Sequence, residues 1–271
     1  MSLAIVTDSM TSFAPGVLER PDVRMVPLTF HFGTEESYRD KVDLTDAEFY
    51  SKLEGSKVFP TTAQPAAGEF VETYESLSAY DDLLVLTSSA KISGTYNSAI
   101  SAADMVDRPV QVMDMRSAEI GSGLILNEVL ETIDGGGDLD EALGAARSAI
   151  ARCRAWFAVG TLEYLQRGGR IGRAQRLAGT ALDIRPVLTL EDGEIVPHKR
   201  TRGRKRQMSA MIGEIQSAVD NGRPYSLGNA NAPEPVAEIS RRLGGGEAFS
   251  VSISGVIGCH VGPGAYGVAY L

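Results

Sequence analysis

The chain has 271 residues, 43% of them hydrophobic and 23% charged, enough to bury a core without disulfides or metals and long enough for two modest domains. A formal net charge of -9 argues against nonspecific binding to nucleic acid, because polyanions repel an acidic surface. Cys153 and Cys259 form no C-x-x-C, the histidines His31, His198 and His260 show no ligand spacing, and the opening MSLAIVTDS is too short for a signal or membrane span, so the expectation is a cytoplasmic protein with no metal site and no integral membrane segment.

Up to about residue 160, short Val- and Ile-rich runs alternate with longer amphipathic stretches, as a parallel α/β sheet requires. Strands are expected at Leu3 to Thr7, Met25 to Phe32, Leu83 to Thr87, Val110 to Asp114 and Ala155 to Val159. Helices are expected at Thr45 to Leu53, where Thr45 and Glu48 have capping-box spacing, then at Gly68 to Leu77, Thr95 to Met105, Glu119 to Ile133 and Leu139 to Cys153. After Gly160 the pattern changes to a short helical TLEYLQRGGR, a second helix near Ala174 to Leu182, and the strands PVLTL and GEIVPHKR joined by a turn at Glu191 to Gly193. A long helix over about Lys205 to Val219 leads to strand, helix, strand, glycine loop and a final strand. The division is therefore 1–160, an α/β domain with a Rossmann-like parallel sheet and helices on both faces, and 161–271, an α+β domain with a mixed or antiparallel sheet. Part of 24–60 is expected to pack on the second domain.

Several polar residues invite a chemical reading. Thr7, Asp8 and Ser9, Thr87 to Ser89, and Asp114 follow three expected parallel strands, at the sheet edge where open α/β folds bind ligands. The plain alternative is that they cap helices and shape turns. Ser93 opens SGTYNSA, which puts a hydroxyl and the amides of Gly94 and its neighbours at a helix N-terminus suited to a carboxylate or phosphate. Thr62, in TTAQP, precedes another helix across the turn fixed by Pro65. The segment GCHVGPGAYG, 258–267, sets His260 among glycines that allow close backbone approach. Its GPGAYG satisfies G-x-G-x-x-G, but four residues remain after Gly267, too few for the helix and acidic residue of a dinucleotide fold.

Ser89 or Ser93 with His260 and Asp8 or Asp114 could compose a triad, yet G-x-S-x-G, P-loop and H-E-x-x-H patterns are absent. The run HKRTRGRKR, 198–206, fits a partner-docking surface or a solvated strand end better than a nucleic-acid site, for it has no interleaved aromatics. Leu124, Ile125, Leu126, Val129 and Leu130 make the helix near 120–133 apolar on more than one face, as core or as the wall of an apolar tunnel.

Taken in order, IVTDS at 5–9, TAQPAAGEF at 62–70, SSAKISGTYNSA at 88–99, TLEYLQRGGRIG at 161–172 and GCHVGPGAYG at 258–267 resemble the DegV family of bacterial fatty-acid-binding proteins, which includes fatty acid kinase B subunits. The resemblance implies a two-domain, noncatalytic carrier that holds a long-chain fatty acid such as palmitate or oleate, uses no cofactor, and presents the carboxylate to a separate fatty acid kinase catalytic subunit. The resemblance places the ligand between the domains. Carried over by position, the family's threonine, serine and histidine around the carboxylate fall on Thr62, Ser93 and His260; Gly94 beside Ser93 joins them as a ligand-binding residue through the helix-end amides, and the basic run with Arg200 and Arg202 is similar to a kinase-docking surface. Ala63 and Ala66 stand where the family commonly has serines, and Cys259 and Val261 flank the histidine where threonine is common. The enzymatic alternative is a hydrolase, or a protein similar to the substrate-binding half of dihydroxyacetone kinases, using Ser93 or His260 covalently.

Overall fold

The computed structural model describes residues 2–177 and 184–271. In its first half, β1 (Leu3–Asp8), β2 (Val23–Val26), β3 (Thr29–Phe32), β4 (Glu36–Arg39), α1 (Asp46–Gly55), β5 (Thr61–Ala63), α2 (Ala67–Ser76), β6 (Asp82–Thr87), α3 (Thr95–Ala103), β7 (Val110–Asp114), α4 (Ile120–Asp134) and α5 (Leu139–Arg152) follow in turn. A wholly parallel sheet runs β2-β1-β6-β7. β1 is buried at every position, as a strand covered on both faces must be. Alternation splits its residues: Leu3 and Ile5 join the core made with α4 and α5, whereas Ala4 and Val6 face Phe70, Tyr74 and Ala99 of α2 and α3. The capping box expected at Thr45 and Glu48 forms, with both reciprocal hydrogen bonds present.

The second half contains β8 (Arg154–Ala158), α6 (Glu163–Arg167), a 3₁₀ turn over Gly172–Leu177, β9 (Ile184–Glu191), β10 (Glu194–Arg202), α7 (Arg204–Asp220), β11 (Tyr225–Asn229), α8 (Pro233–Leu243), β12 (Phe249–Ser252), α9 (Gly255–Val261) and β13 (Tyr266–Tyr270). These strands form a mixed sheet in the order β10-β9-β8-β13-β11-β12, in which β11 and β12 are parallel and the other pairs antiparallel. α7 and α8 cover one face through Met208, Met211, Ile215, Val236 and Ile239. The other face turns toward the parallel sheet, where Ile120 at the start of α4 sits on Gly228 and Gly267; an added Cβ there would lie 2.8 and 3.3 Å from its side chain. The β9–β10 turn has Asp192 at φ 48° and Gly193 at φ 81°, the left-handed pair that a tight hairpin uses.

Four expectations are corrected. The strand expected over 25–32 is broken at Pro27, which has no N–H for the ladder: β2 stays in the parallel sheet, while β3 starts a small antiparallel sheet, β4-β3-β5. Residues 155–159 were expected with the parallel strands, but β8 pairs antiparallel with β13 and β9, so the change of sheet precedes Arg154 rather than following residue 160. Near Ala174 to Leu182 the chain makes a 3₁₀ turn through Leu177, and the remainder of that expected helix lies outside the described residues. The expected glycine loop is helical up to Val261, because α9 spans Gly255–Val261. Its glycines allow tight seating: an added Cβ at Gly255 would lie 2.8 Å from the Phe30 ring, and at Gly258 2.5 Å from the Phe49 ring. Phe30, Phe32, Phe49 and Tyr50 thereby share one cluster with Val159, Leu165, Val256 and Cys259.

Candidate ligand site between the sheets

A cavity of about 360 Å³ opens between the two principal sheets. Met10, Ala118 and Ile120 line it from the parallel-sheet side, and Phe157, Leu190, Ile195 and Gly267 from the mixed sheet. Polar side chains gather at one part of its wall: Thr62, Gln64, Ser93, Arg170 and His260. An apolar chamber with a few convergent polar groups fits a ligand that has a long hydrocarbon part and one polar head.

Thr62 and His260 arrive from distant parts of the chain. Thr62 lies on β5, paired with Phe30 of β3, and His260 on the last turn of α9. The Thr62 hydroxyl and His260 Nε2 are 3.0 Å apart and hydrogen-bonded. Gly168, which follows α6, makes room for the ring, since a Cβ there would lie 2.2 Å from Nδ1. Burial, and after it the charge of Arg170, lowers the His260 pKa to about 4. The imidazole is therefore neutral at pH 7 and can donate or accept at Nε2.

Ser93 stands at the N-terminus of α3, where its Oγ is 2.7 Å from Thr95 Oγ1 and accepts weakly from the Thr95 amide at 3.3 Å. The residue thus contributes to the helix end and lines the cavity as well. Gly94 does not line it: the Gln64 amide covers this glycine, and a Cβ there would lie 1.8 Å from Oε1. Gln64 Nε2 donates to Ser98 Oγ at 2.9 Å, tying the β5 segment to α3.

The remaining candidates divide. The Asp8 carboxylate accepts from the Ser88 amide at 2.7 Å, the Ser88 hydroxyl at 2.8 Å and the Met10 amide at 2.9 Å. Thr7 donates to the Leu86 carbonyl, and Ser89 to the Gly193 carbonyl across to the second sheet. Asp114 accepts from the amides of Ala90 and Arg116. The strand-end polar groups therefore serve the fold. Of the apolar helix, Ile120 lines the cavity, whereas Leu124, Ile125, Leu126, Val129 and Leu130 are core. Arg200 and Arg202 are exposed on β10 and away from the cavity wall, with no ion pair among the described residues.

Three polar wall residues escape sequence reasoning: Gln64, Arg170 and Glu119. Arg170 stood in view within QRGGRIG. Its Nε donates to the Ile92 carbonyl at 3.0 Å and its Nη1 to the Gly168 carbonyl at 2.9 Å, which holds a cation beside Ser93 and His260. Glu119 reads as an ordinary helix start, yet it is buried and lines the cavity. Among the described residues there is no group of His, Cys, Asp and Glu that could hold a metal ion, and no helix is long and apolar enough to cross a membrane.

Comparison with known proteins places this geometry. Residues 2–271 match the sequence pattern of the uncharacterised DegV protein family. Protein DegV of Bacillus subtilis is 32% identical over 279 residues, covering 100% of this chain and 99% of that protein. Its crystal structure, described as that of a fatty acid binding protein, superposes with a TM-score of 0.89 over 100% of this chain and 99% of that one. A Thermus thermophilus DegV family protein described by its fatty acid binding is 33% identical, with a TM-score of 0.91 over 100% of this chain and 99% of that one. The fatty acid kinase B3 protein of Streptococcus pneumoniae, loaded with linoleic acid, shares the fold at 20% identity, with a TM-score of 0.86 over 100% of this chain and 99% of that one. The two-domain α/β architecture is thus that of relatives that match end to end, and the chain belongs to the DegV family.

Proposed function

We propose that this protein is a noncatalytic carrier that holds a long-chain fatty acid in the cavity between its sheets and presents the carboxylate to a separate fatty acid kinase catalytic subunit for acyl phosphate formation. The observation that carries the reading is the joining of a 360 Å³ apolar cavity to a polar wall made by Thr62, Ser93 and His260. Transfer of about fifteen methylenes from water, at about 0.8 kcal/mol each, supplies about 12 kcal/mol before association costs. Hydroxyls, a neutral imidazole and the nearby Arg170 guanidinium then receive the carboxylate, so that no buried charge is left unpaired. Fatty acid binding by the relatives from Bacillus subtilis and Thermus thermophilus supports the same ligand class.

A covalent role for Ser93 or His260 has weaker support. His260 pairs with Thr62 and Ser93 with Thr95, and His260 Nδ1 has no hydrogen-bond partner among the described residues. Nucleophile, base and orienting group therefore do not form a chain. Arg200 and Arg202, exposed at an edge strand of an acidic protein, serve as the docking surface in this proposal, within a cytoplasmic setting. We also take 1–160 and 161–271 as the working domain division, amended by the passage of β8 to the second sheet. Organic extraction of protein purified from a bacterial host, followed by mass spectrometry, tests the function. Near-stoichiometric fatty acid is expected; its absence, together with no binding of added palmitate or oleate, would refute the proposal.

A further inference from the structure

Glu119 is a buried carboxylate, 5% exposed, on the wall of a cavity that is otherwise apolar around it. A carboxyl group there offers nothing to a hydrocarbon chain, so its role must be sought among its protein partners. The backbone gives the first indication. Glu119 precedes α4 at φ 48°, ψ -119°, a conformation that L residues seldom adopt and that surrounding contacts have to impose. Those contacts are present: its N–H donates to the Met10 carbonyl at 2.5 Å, and its carbonyl accepts from the amides of Ser12 at 3.2 Å and Gly123 at 2.8 Å.

The side chain held this way spans two parts of the fold. One carboxylate oxygen accepts from the Ser12 hydroxyl at 2.6 Å, in the segment after β1. The other accepts from both the amide, at 3.1 Å, and the hydroxyl of Ser254. Ser254 is the N-cap of α9, whose last turn carries His260. Asp40 holds the same helix end through the Val256 amide at 3.2 Å. With Gly255 and Gly258 pressed on Phe30 and Phe49, α9 is seated laterally by aromatic rings and fixed at its start by two carboxylates.

We propose that Glu119 is the positioning residue of the headgroup site: by tying Ser254 to Ser12 it fixes α9 against the parallel sheet, and so sets where His260 meets Thr62 and the ligand carboxylate. This rests on the fatty-acid reading for the identity of the ligand. A merely structural wall residue would affect every ligand of the cavity alike, whereas a positioning residue for His260 affects those with a carboxylate.

The test compares Glu119→Ala and Glu119→Gln with the parent protein, titrated with hexadecanoate and with 1-hexadecanol, which share a chain and differ in the head. The histidine ring resonances are followed by NMR, and His260 is assigned by its loss in His260→Ala. Glu119→Ala is expected to weaken hexadecanoate about tenfold or more, as for loss of one hydrogen bond to a charged group, to change hexadecanol binding much less, and to move the His260 signals. Glu119→Gln, which keeps an acceptor oxygen and the shape, should fall between Ala and the parent. Equal losses for both ligands with an unmoved His260 ring would overturn the proposal, and so would unchanged binding. Should Glu119→Ala fail to fold, Ser254→Ala removes one donor at the far end of the tie and is read the same way. A parent protein that binds neither ligand would sink the fatty-acid reading, while the His260 resonances would still decide the positioning role.

Discussion

Gly168→Ala tests the headgroup geometry directly. Gly168 ends α6 at φ -75°, ψ -5°, which alanine adopts without strain, and restricting the unfolded chain at such a position stabilises by about 0.4–1 kcal/mol. The new methyl, however, would lie 2.2 Å from His260 Nδ1 and 2.9 Å from Cε1, where ordinary contact begins at 3.4 Å. The ring is held through Nε2 by Thr62 at 3.0 Å, so a push at Nδ1 carries it out of that hydrogen bond and out of register with a bound carboxylate. Loss of one hydrogen bond to a charged group costs about 1–3 kcal/mol, or about 5- to 150-fold in affinity. Affinity should therefore drop by that factor in a fluorescent fatty-acid titration, while the backbone gain is offset by the lost Thr62–His260 hydrogen bond and by the methyl's 3.0 Å approach to the Tyr164 carbonyl, so the thermal midpoint of the ligand-free protein should stay level or fall. Gly213→Ala, on α7 with open space around it, is the control and should leave binding unchanged. A Gly168→Ala protein that binds as tightly as its parent would show that the His260 ring does not touch the carboxylate.

Direct removal of the headgroup groups, His260→Ala and Ser93→Ala, should each weaken fatty-acid binding or presentation by about 1–3 kcal/mol with the fold intact; parental binding and acyl phosphate formation in both would remove them from the site. Arg200→Ala with Arg202→Ala should slow kinase-dependent phosphorylation by about tenfold at low salt and leave the fatty-acid titration unmoved, whereas equal losses in both assays would place these arginines in ligand binding. Burial raises the pKa of Asp40 to about 7 and of Asp8 to about 6, above the unfolded value of about 3.9. Their stabilising contribution is therefore full below about pH 4 and lost as the pH climbs through 6 to 7. At about 1.4 kcal/mol per pKa unit, Asp40→Asn should raise the thermal midpoint at pH 8 and change it much less at pH 5; a midpoint unaffected at pH 8 would contradict the assignment. His260, lowered to about 4, acts in the opposite sense, its contribution being present above the unfolded value of about 6.5 and lost toward pH 4.

What the sequence made legible follows from how local each signal is. The capping box at Thr45 and the β9–β10 turn are set by residues three or fewer apart, and both form as expected. β8 departs from the sequence expectation because a short apolar run says that a strand is buried without saying which sheet buries it. That is settled by its pairing with β13, more than a hundred residues later in the chain. Pro27 was available as a strand breaker, yet the small sheet it initiates depends on β5, whose three residues carry too little pattern to mark a strand alone.

The same distinction runs through the site. Ser93 and His260 stand out locally, as a hydroxyl at a helix end and an imidazole among glycines, and Thr62 only weakly, while the resemblance to the family is what joins the three as one site. Gly94 enters with Ser93 through the amides of the helix end, and its Cα side is covered by the Gln64 amide. Arg170 and Glu119 carry no such local mark. An arginine after two glycines and a glutamate before a helix are ordinary in sequence, and each acquires its role from partners far along the chain: Ile92 for Arg170, and Ser12 and Ser254 for Glu119. Glu119 is buried, where a polar group is costly to leave without partners, so the fold must supply specific donors to it; Arg170 is exposed and is oriented instead by the Ile92 and Gly168 carbonyls. A sequence shows the glutamate, whereas the partners that make its burial tolerable emerge when the two sheets are brought face to face.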